Sequence, residues 1–224
     1  MMKISKVLYI NLDHRQDRLL SIQQVLSYCP YPIHRIQGVK LGDEDLITYQ
    51  TIGDHKKISK AGMVGCVLSH KKCVEYLLSQ DLQQDEYSLI LEDDVQIHKS
   101  FWKLLETINI AEDADLILFD AISKMSYAGL HDIYHNTYPL VYKIPIGINC
   151  QSHGMAKGNC FFGTHCLAYK NSKLKRMLQW FNKIKIYRNI DQLLIPDKEL
   201  SRYIVDTKLI FQDWNNLMSD IKIE

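Results

Sequence analysis

Three consecutive carboxylates, Glu92-Asp93-Asp94, follow the apolar run Ser88-Leu89-Ile90-Leu91. Adjacent acids repel one another, and the end of a buried strand is a costly place for them unless something positive offsets the cost. Carboxylate oxygens prefer hard cations, which points to Mg²⁺ or Mn²⁺. Such an ion usually keeps some waters and also binds substrate phosphates. Along an extended chain Glu92 and Asp94 share a face and Asp93 opposes them. The expected metal ligands are therefore Asp94 and Glu92, with Asp93 on a ribose or on a metal-bound water. The same triplet also reads as a solvated acidic turn that opens the next helix.

Two other stretches place polar groups at element ends. Asn11-Leu12-Asp13 follows the run Val7-Leu8-Tyr9-Ile10, and Arg18 comes about one helical turn further on. An amide and a carboxylate at a strand end can read a nucleobase and a ribose, while Arg18 can reach a phosphate or hold Asp13. Equally, Asp13 or Asp17 can cap the first helix and leave Arg18 solvated. In Gly62-x-x-Gly65-Cys66-x-x-Ser69-His70 the glycines let backbone approach a ligand, or let a helix pack closely on a sheet. Ser69 and His70 are adjacent on that helix and do not face each other, which argues against a nucleophilic pair. Cys150, His153, Cys160, His165 and Cys166 supply enough ligands for zinc, but their spacing matches no common finger or ribbon.

The elements that must position these groups alternate. The 224 residues suggest one domain, and 27 Lys+Arg against 26 Asp+Glu give a net charge of +1, which argues against a nucleic-acid partner. No apolar run is long enough to span a bilayer, and the short run before Asn11 reads as a first strand rather than a signal-peptide core. Six cysteines without a CxxC pair fit reduced thiols in a cytoplasmic protein. Strands are expected at 6–10, 33–39, 88–91, 115–119, 160–169 and 209–211. Helices are expected over 18–28 and 62–78, from a cap at Ser100, over 172–184 and from Asp191, while 127–150 reads as loops with one short strand. This pattern implies an α/β fold with a mostly parallel central sheet, whose ligands bind at the carboxyl ends of the strands. Asn11/Asp13, Glu92-Asp93-Asp94 and Asp120 all stand at such ends. Charge is unevenly spread: residues 75–120 carry twelve acids and two lysines, and residues 170–190 carry seven basic residues and no acid. Leu174, Met177, Leu178 and Phe181 lie on one face of a basic amphipathic helix near 172–188. That helix either packs on the core with a solvated basic side or rests on an anionic membrane surface.

Taken in order, these segments resemble glycosyltransferase family 25, the lipopolysaccharide-type sugar transferases related to collagen galactosyltransferases. Tyr9-Ile10-Asn11-Leu12-Asp13…Arg18 is similar to the family's opening Ile-Asn-Leu-Asp…Arg. Gly62-Met63-Val64-Gly65-Cys66-Val67-Leu68-Ser69-His70 is similar to its Gly-x-x-Gly-Cys-x-Leu-Ser-His, and Leu89 to Val95 to its Glu-Asp-Asp strand. Gly163-Thr164…Tyr169, Ile190-Asp191-Gln192-Leu193-Leu194 and Gln212…Ser219 resemble later segments more loosely. The family's Ala-Val-Asp-Gly is replaced by Gln37-Gly38-Val39-Lys40-Leu41-Gly42, so no ribose or acceptor role carries over to that loop. The resemblance implies one GT-A-like nucleotide-diphospho-sugar transferase domain over 1–224, ending in a short tail. It also implies an inverting reaction that uses Mn²⁺ or Mg²⁺. The donor would most often be UDP-galactose, and the acceptor a sugar of lipopolysaccharide or lipooligosaccharide, carried on lipid at the inner face of the membrane. Donor contacts would come from Asn11, Leu12, Asp13, Arg18, Ser69, His70 and Asp93. Inversion needs a general base and no covalent nucleophile. With the metal acids set aside, Asp120, Asp191 and Asp213 remain. Asp191 is the expected base, because it opens a helix whose dipole favours the anion and would sit at the rim. Asp120 is the expected contact to donor sugar hydroxyls. Asp191 can also be no more than that helix's cap. UDP-glucose or a UDP-N-acetylhexosamine as donor, a nucleotide-sugar hydrolase, and a non-catalytic binding module are the competing readings.

Overall fold

Apolar, β-branched runs flanked by amphipathic helices give the chain its layers. The computed structural model describes residues 2–42, 44–45, 60–119, 122–123, 140–143, 161–184, 190–194, 197–207 and 209–212. Its main sheet contains β1 (Ile4–Asn11), β2 (Ile33–Gln37), β3 (Tyr87–Glu92), β5 (Leu116–Phe119), β7 (Leu140–Lys143), β9 (Cys166–Lys170) and β10 (Arg202–Asp206) in the order β2-β1-β3-β9-β5-β10-β7. β1, β2, β3, β5 and β10 run one way, and β9 and β7 run the other. The sheet is thus mostly parallel, as expected, but a reversed strand sits at its centre. Two short ribbons complete the β structure, β4 (Val95–Ile97) on β11 (Ile210–Gln212) and β6 (Ile122–Ser123) on β8 (Phe161–Phe162).

Strand side chains alternate between two cores, as the period of two requires. Leu8, Ile90, Leu116, Leu118 and Leu167 face a core shared with α2 (Lys60–Leu78), α4 (Leu174–Lys183) and α5 (Ile190–Leu194). Val7, Tyr9, Leu89, Leu91, Ile117 and Phe119 face the opposite core, shared with α1 (Gln16–Leu26) and α3 (Ser100–Leu105). The result is three layers, helix on sheet on helix.

Several local expectations change. The stretch 160–169 does not form one strand: Gly163 adopts φ +109°, a left-handed conformation, and breaks it into β8 and β9. Ser100 does not cap α3; it is the helix's first residue, after Lys99. α1 follows Arg15 and has no side-chain cap, so neither Asp13 nor Asp17 fills that role; Asp17 pairs with Arg15 at 2.7 Å. β10 has no apolar signature at its start because it opens on a fully buried arginine, Arg202, whose guanidinium donates to the carbonyls of Leu200 and Leu194, both at 3.1 Å. A single 3₁₀ turn, Asn171–Lys173, precedes α4, whose helix stops at Lys183. Its buried face is Leu174, Met177, Trp180 and Phe181, with Leu178 only partly covered, so the apolar stripe belongs to the core and not to a membrane. No described helix is long and apolar enough to cross a membrane. Asp120, Cys150, His153, Cys160 and Asp213 lie outside the described residues.

Candidate functional site

Strand register brings the polar ends together. Asn11 pairs in register with Gln37, and Ile10 with Glu92, so β1, β2 and β3 finish at one level. β9 is antiparallel to β3, with Cys166 opposite Leu91, so the turn before it, Gly163-Thr164-His165, starts at that same end. A cleft of about 270 Å³ opens there. Its walls include Asn11, Leu12, Arg18, Val39, Gly65, Cys66, Ser69, Glu92, Asp93 and Asp94.

The α2 wall stands close because Gly65 permits it: a Cβ at that position would overlap the carbonyl oxygen of Val39. Ser69 ties the same two segments. It donates to the Gly65 carbonyl at 2.7 Å and accepts from the Val39 amide at 2.8 Å. Ser69 and His70 make separate contacts, as their adjacency on a helix requires.

Glu92 ends β3 and turns toward α2 and β9. Its Oε1 accepts from Thr164 Oγ1 at 2.5 Å and lies 3.1 Å from His70 Nε2 and 3.9 Å from Cys66 Sγ. Burial opposes ionisation of Glu92, but the His70 contact and the Thr164 hydroxyl outweigh it, and the carboxyl stays well below its usual range. The Cys66 thiol goes the other way. Burial raises it strongly, and the negative charges of Glu92, Asp191 and Asp94 add to that.

Strand alternation stops at Glu92, because Asp93 and Asp94 form a turn into β4. Both are buried, and both face α1. Asp93 accepts from Arg18 Nη1 at 2.8 Å and from Asn11 Nδ2 at 2.7 Å. Burial still leaves its pKa raised, since desolvation exceeds what Arg18 and Asn11 return. Arg18 therefore holds Asp93, not Asp13. The Asp13 carboxylate lies outside, accepting from Arg35 at 2.7 Å and from Gln37, and the Arg35 bond lowers its pKa first of all. Arg35 also donates to the Asn11 side-chain oxygen at 2.8 Å, which fixes the amide with its nitrogen toward Asp93. Leu12 packs beneath Gly38 at the cleft wall.

Asp191, in the first turn of α5, accepts from the Gly163 amide at 3.2 Å. The turn 163–165 is thus held on one side by Glu92 through Thr164 and on the other by Asp191. The structure therefore gathers Asn11, Leu12, Arg18, Ser69, His70, Glu92, Asp93, Asp94 and Asp191 around one end of the sheet. Asp13 sits at its outer edge. Arg35, the Thr164–Glu92 bond and the Cys66–Glu92 approach escape sequence reasoning. Thr164 and Arg35 belong to segments that carry no strong motif, and only the register of β9 and β2 brings them in.

The donor set fits a hard cation at Asp94. One guanidinium is shared by two buried carboxylates and lies nearer Asp93 than Asp94, 2.8 against 3.6 Å. Oxygen donors suit Mg²⁺ or Mn²⁺. Glu92 Oε1 instead lies among Thr164, His70 and Cys66, on the side of α2 and β9.

Comparison with known proteins bears on this arrangement. The sequence matches the profile of glycosyltransferase family 25 (LPS biosynthesis protein) over residues 4–193. No curated protein matches it. Among solved structures it is similar to a glycosyltransferase involved in the glycosylation of the major capsid of PBCV-1, at 9% identity and TM-score 0.40 over 80% of this chain and 66% of that one. It is similar to the apo-form glycosyltransferase GlyE of Streptococcus pneumoniae TIGR4, at 13% identity and TM-score 0.44 over 90% of this chain and 45% of that one. A third likeness is to mouse xyloside xylosyltransferase 1 in its apo form, at 8% identity and TM-score 0.36 over 86% and 68%. The chain thus spans less than two thirds of the length of the first two.

Proposed function

We propose, from the premise that this chain belongs to glycosyltransferase family 25, that it is an inverting, metal-dependent sugar transferase with a GT-A-like domain. The observation that carries the reading is the buried Asp93-Asp94 turn, clamped by Arg18 and Asn11 on the wall of a cleft at the carboxyl end of the sheet. A nucleoside diphosphate is the leaving group of such a reaction, and a divalent cation at Asp94 would supply the charge that stabilises it. Mn²⁺ or Mg²⁺ suits that oxygen site. Arg18 holds the turn rigid, so Asp94 needs little rearrangement when the donor enters. Asn11 and Leu12 line the nucleotide side, with Asp13 at its margin, and Ser69 sets the spacing of the opposite wall. Glu92, pinned by His70 and Thr164, positions the 163–165 turn rather than meeting the ion.

Asp191 takes the proton of the acceptor hydroxyl. The Gly163 amide holds the carboxylate through one oxygen at 3.2 Å, as a positioned general base requires. β5 ends at Phe119, at the same end of the sheet, and Asp120, next in sequence, is assigned to the donor sugar hydroxyls. UDP-galactose is the proposed donor and a lipid-linked glycan of lipopolysaccharide type the proposed acceptor. The exposed Lys175 and Lys183 of α4 favour work beside an anionic, cytoplasmic membrane face.

The test is a transfer assay with UDP-galactose, UDP-glucose and a UDP-N-acetylhexosamine, each with and without a lipooligosaccharide acceptor. The reading predicts one added hexose with inverted anomeric configuration by NMR. Equal release of UDP without acceptor would make the protein a hydrolase instead.

A further inference from the structure

Cys66 and His70 are four residues apart on α2, so their side chains leave one face of the helix on consecutive turns. Glu92 meets them from the end of β3. Cys66 Sγ, His70 Nε2 and Glu92 Oε1 all lie within 4.8 Å of one another, with edges of 3.1 Å from nitrogen to oxygen and 3.9 Å from sulfur to oxygen. Zinc bonds of about 2.0–2.3 Å in a tetrahedron put neighbouring ligands roughly 3.3–3.7 Å apart. The two edges to Glu92 lie close to that range and the third is no longer than 4.8 Å, so a modest inward movement of the three side chains would close the shell.

The donor types agree with the geometry. One sulfur, one imidazole nitrogen and one carboxylate oxygen favour Zn²⁺ over Mg²⁺ or Mn²⁺, which prefer oxygen alone. Cys66 and Glu92 line the cleft, which supplies both an entry path and an open fourth position. Thr164 Oγ1 donates to the same Glu92 oxygen and orients the carboxylate. His70 Nε2 donates to Glu92, and its buried Nδ1 has no hydrogen-bond partner, so Nδ1 is free to take the ring proton when Nε2 turns to a metal. The same missing partner leaves the outer shell incomplete, so the affinity should be that of a regulatory site and not of a structural one.

We propose that Cys66, His70 and Glu92 bind one Zn²⁺, at a position separate from the hard-cation site at Asp94. Binding forms a Zn–S bond, releases the Cys66 thiol proton to solvent and shifts the His70 ring proton from Nε2 to Nδ1, with no change of oxidation state. The ion takes the place of the His70–Glu92 contact and presents its fourth position to the cleft. The proposal does not depend on the transferase reading.

Two measurements on the full chain test it. The first titrates Zn²⁺ against a chromophoric chelator, in parallel with Co²⁺ followed by absorbance. One equivalent should bind with micromolar or tighter affinity, and the Co²⁺ form should show a thiolate-to-metal charge-transfer band. Cys66→Ser should remove the band and weaken Zn²⁺ binding about a hundredfold. The second needs no variant: Zn²⁺ should slow iodoacetamide labelling of Cys66 at least tenfold, with the site identified by peptide mass spectrometry. Labelling of Cys66 at the same rate with and without Zn²⁺ overturns the proposal. So does a folded Cys66→Ser protein that keeps the band and the affinity.

Discussion

Replacing Arg18 by methionine tests how the acidic turn is held. Arg18 and Asp93 are each 6% exposed, and their bond is 2.8 Å. Removing one partner of a buried pair costs about 3–5 kcal/mol, because the remaining charge loses its compensation. Asn11 keeps its 2.7 Å bond to Asp93, and protonation offers a partial escape, so we expect the lower end, about 3 kcal/mol near pH 8. For a chain of this size that lowers Tm by roughly 6–12 °C. The pH dependence has a definite sign. Burial already raises the pKa of Asp93 in the folded state, and Arg18 opposes that rise. Without Arg18 the folded pKa climbs further above the unfolded one. Such a carboxyl costs stability at high pH, and the cost fades as pH falls through the folded pKa. The deficit of Arg18→Met should therefore shrink between about pH 8 and pH 5, and Asp93→Asn should recover at least half of it in the double variant. Thermal unfolding followed by circular dichroism, on all four proteins at several pH values, reads each quantity. A deficit independent of pH, or additive single variants with no coupling, would refute the reasoning.

The same geometry fixes other outcomes. Asp94→Asn should lower turnover by about 10²-fold or more, as loss of a strong charge stabiliser does, and excess EDTA should silence the wild-type enzyme; steady-state rates check both. Asp191→Asn should fold normally and bind donor normally by calorimetry, yet turn over about 10²-fold more slowly; an unchanged rate would move the base to Asp120. Gly65→Ala should lower stability by about 1–3 kcal/mol and weaken UDP binding, because the added methyl meets the Val39 carbonyl and pushes α2 from the loop after β2; denaturant unfolding and calorimetry report the two effects separately.

The acidic turn and the Asn11 strand end are legible in the sequence because strand and chemistry are adjacent there. A run such as Leu89-Ile90-Leu91 can only be buried, and the residues after it must emerge at a strand end. The fold class is legible for the same reason. The features that escape depend on contacts between distant segments. Strand alternation puts Glu92 and Asp94 on one face, but β3 stops at Glu92 and Asp94 turns toward Arg18. Thr164 reaches Glu92 because β9 runs antiparallel between β3 and β5, a direction that no local pattern encodes. The apolar stripe of the basic helix suits a membrane or a core equally well by its spacing; the packing of Trp180 and its neighbours makes it core. β10 escapes because it opens on a buried arginine, which donates to two carbonyls and breaks the apolar signature of an interior strand.

Calorimetric titration of UDP into the full chain, with Mn²⁺ and then with EDTA, tests the central claim most directly. Saturable binding that requires Mn²⁺ in the wild type, and that loses its metal dependence in Asp94→Asn, is the predicted result. UDP binding of equal strength in Mn²⁺ and EDTA, or none in either, would contradict the assignment of this cleft to a metal-assisted nucleotide-sugar donor.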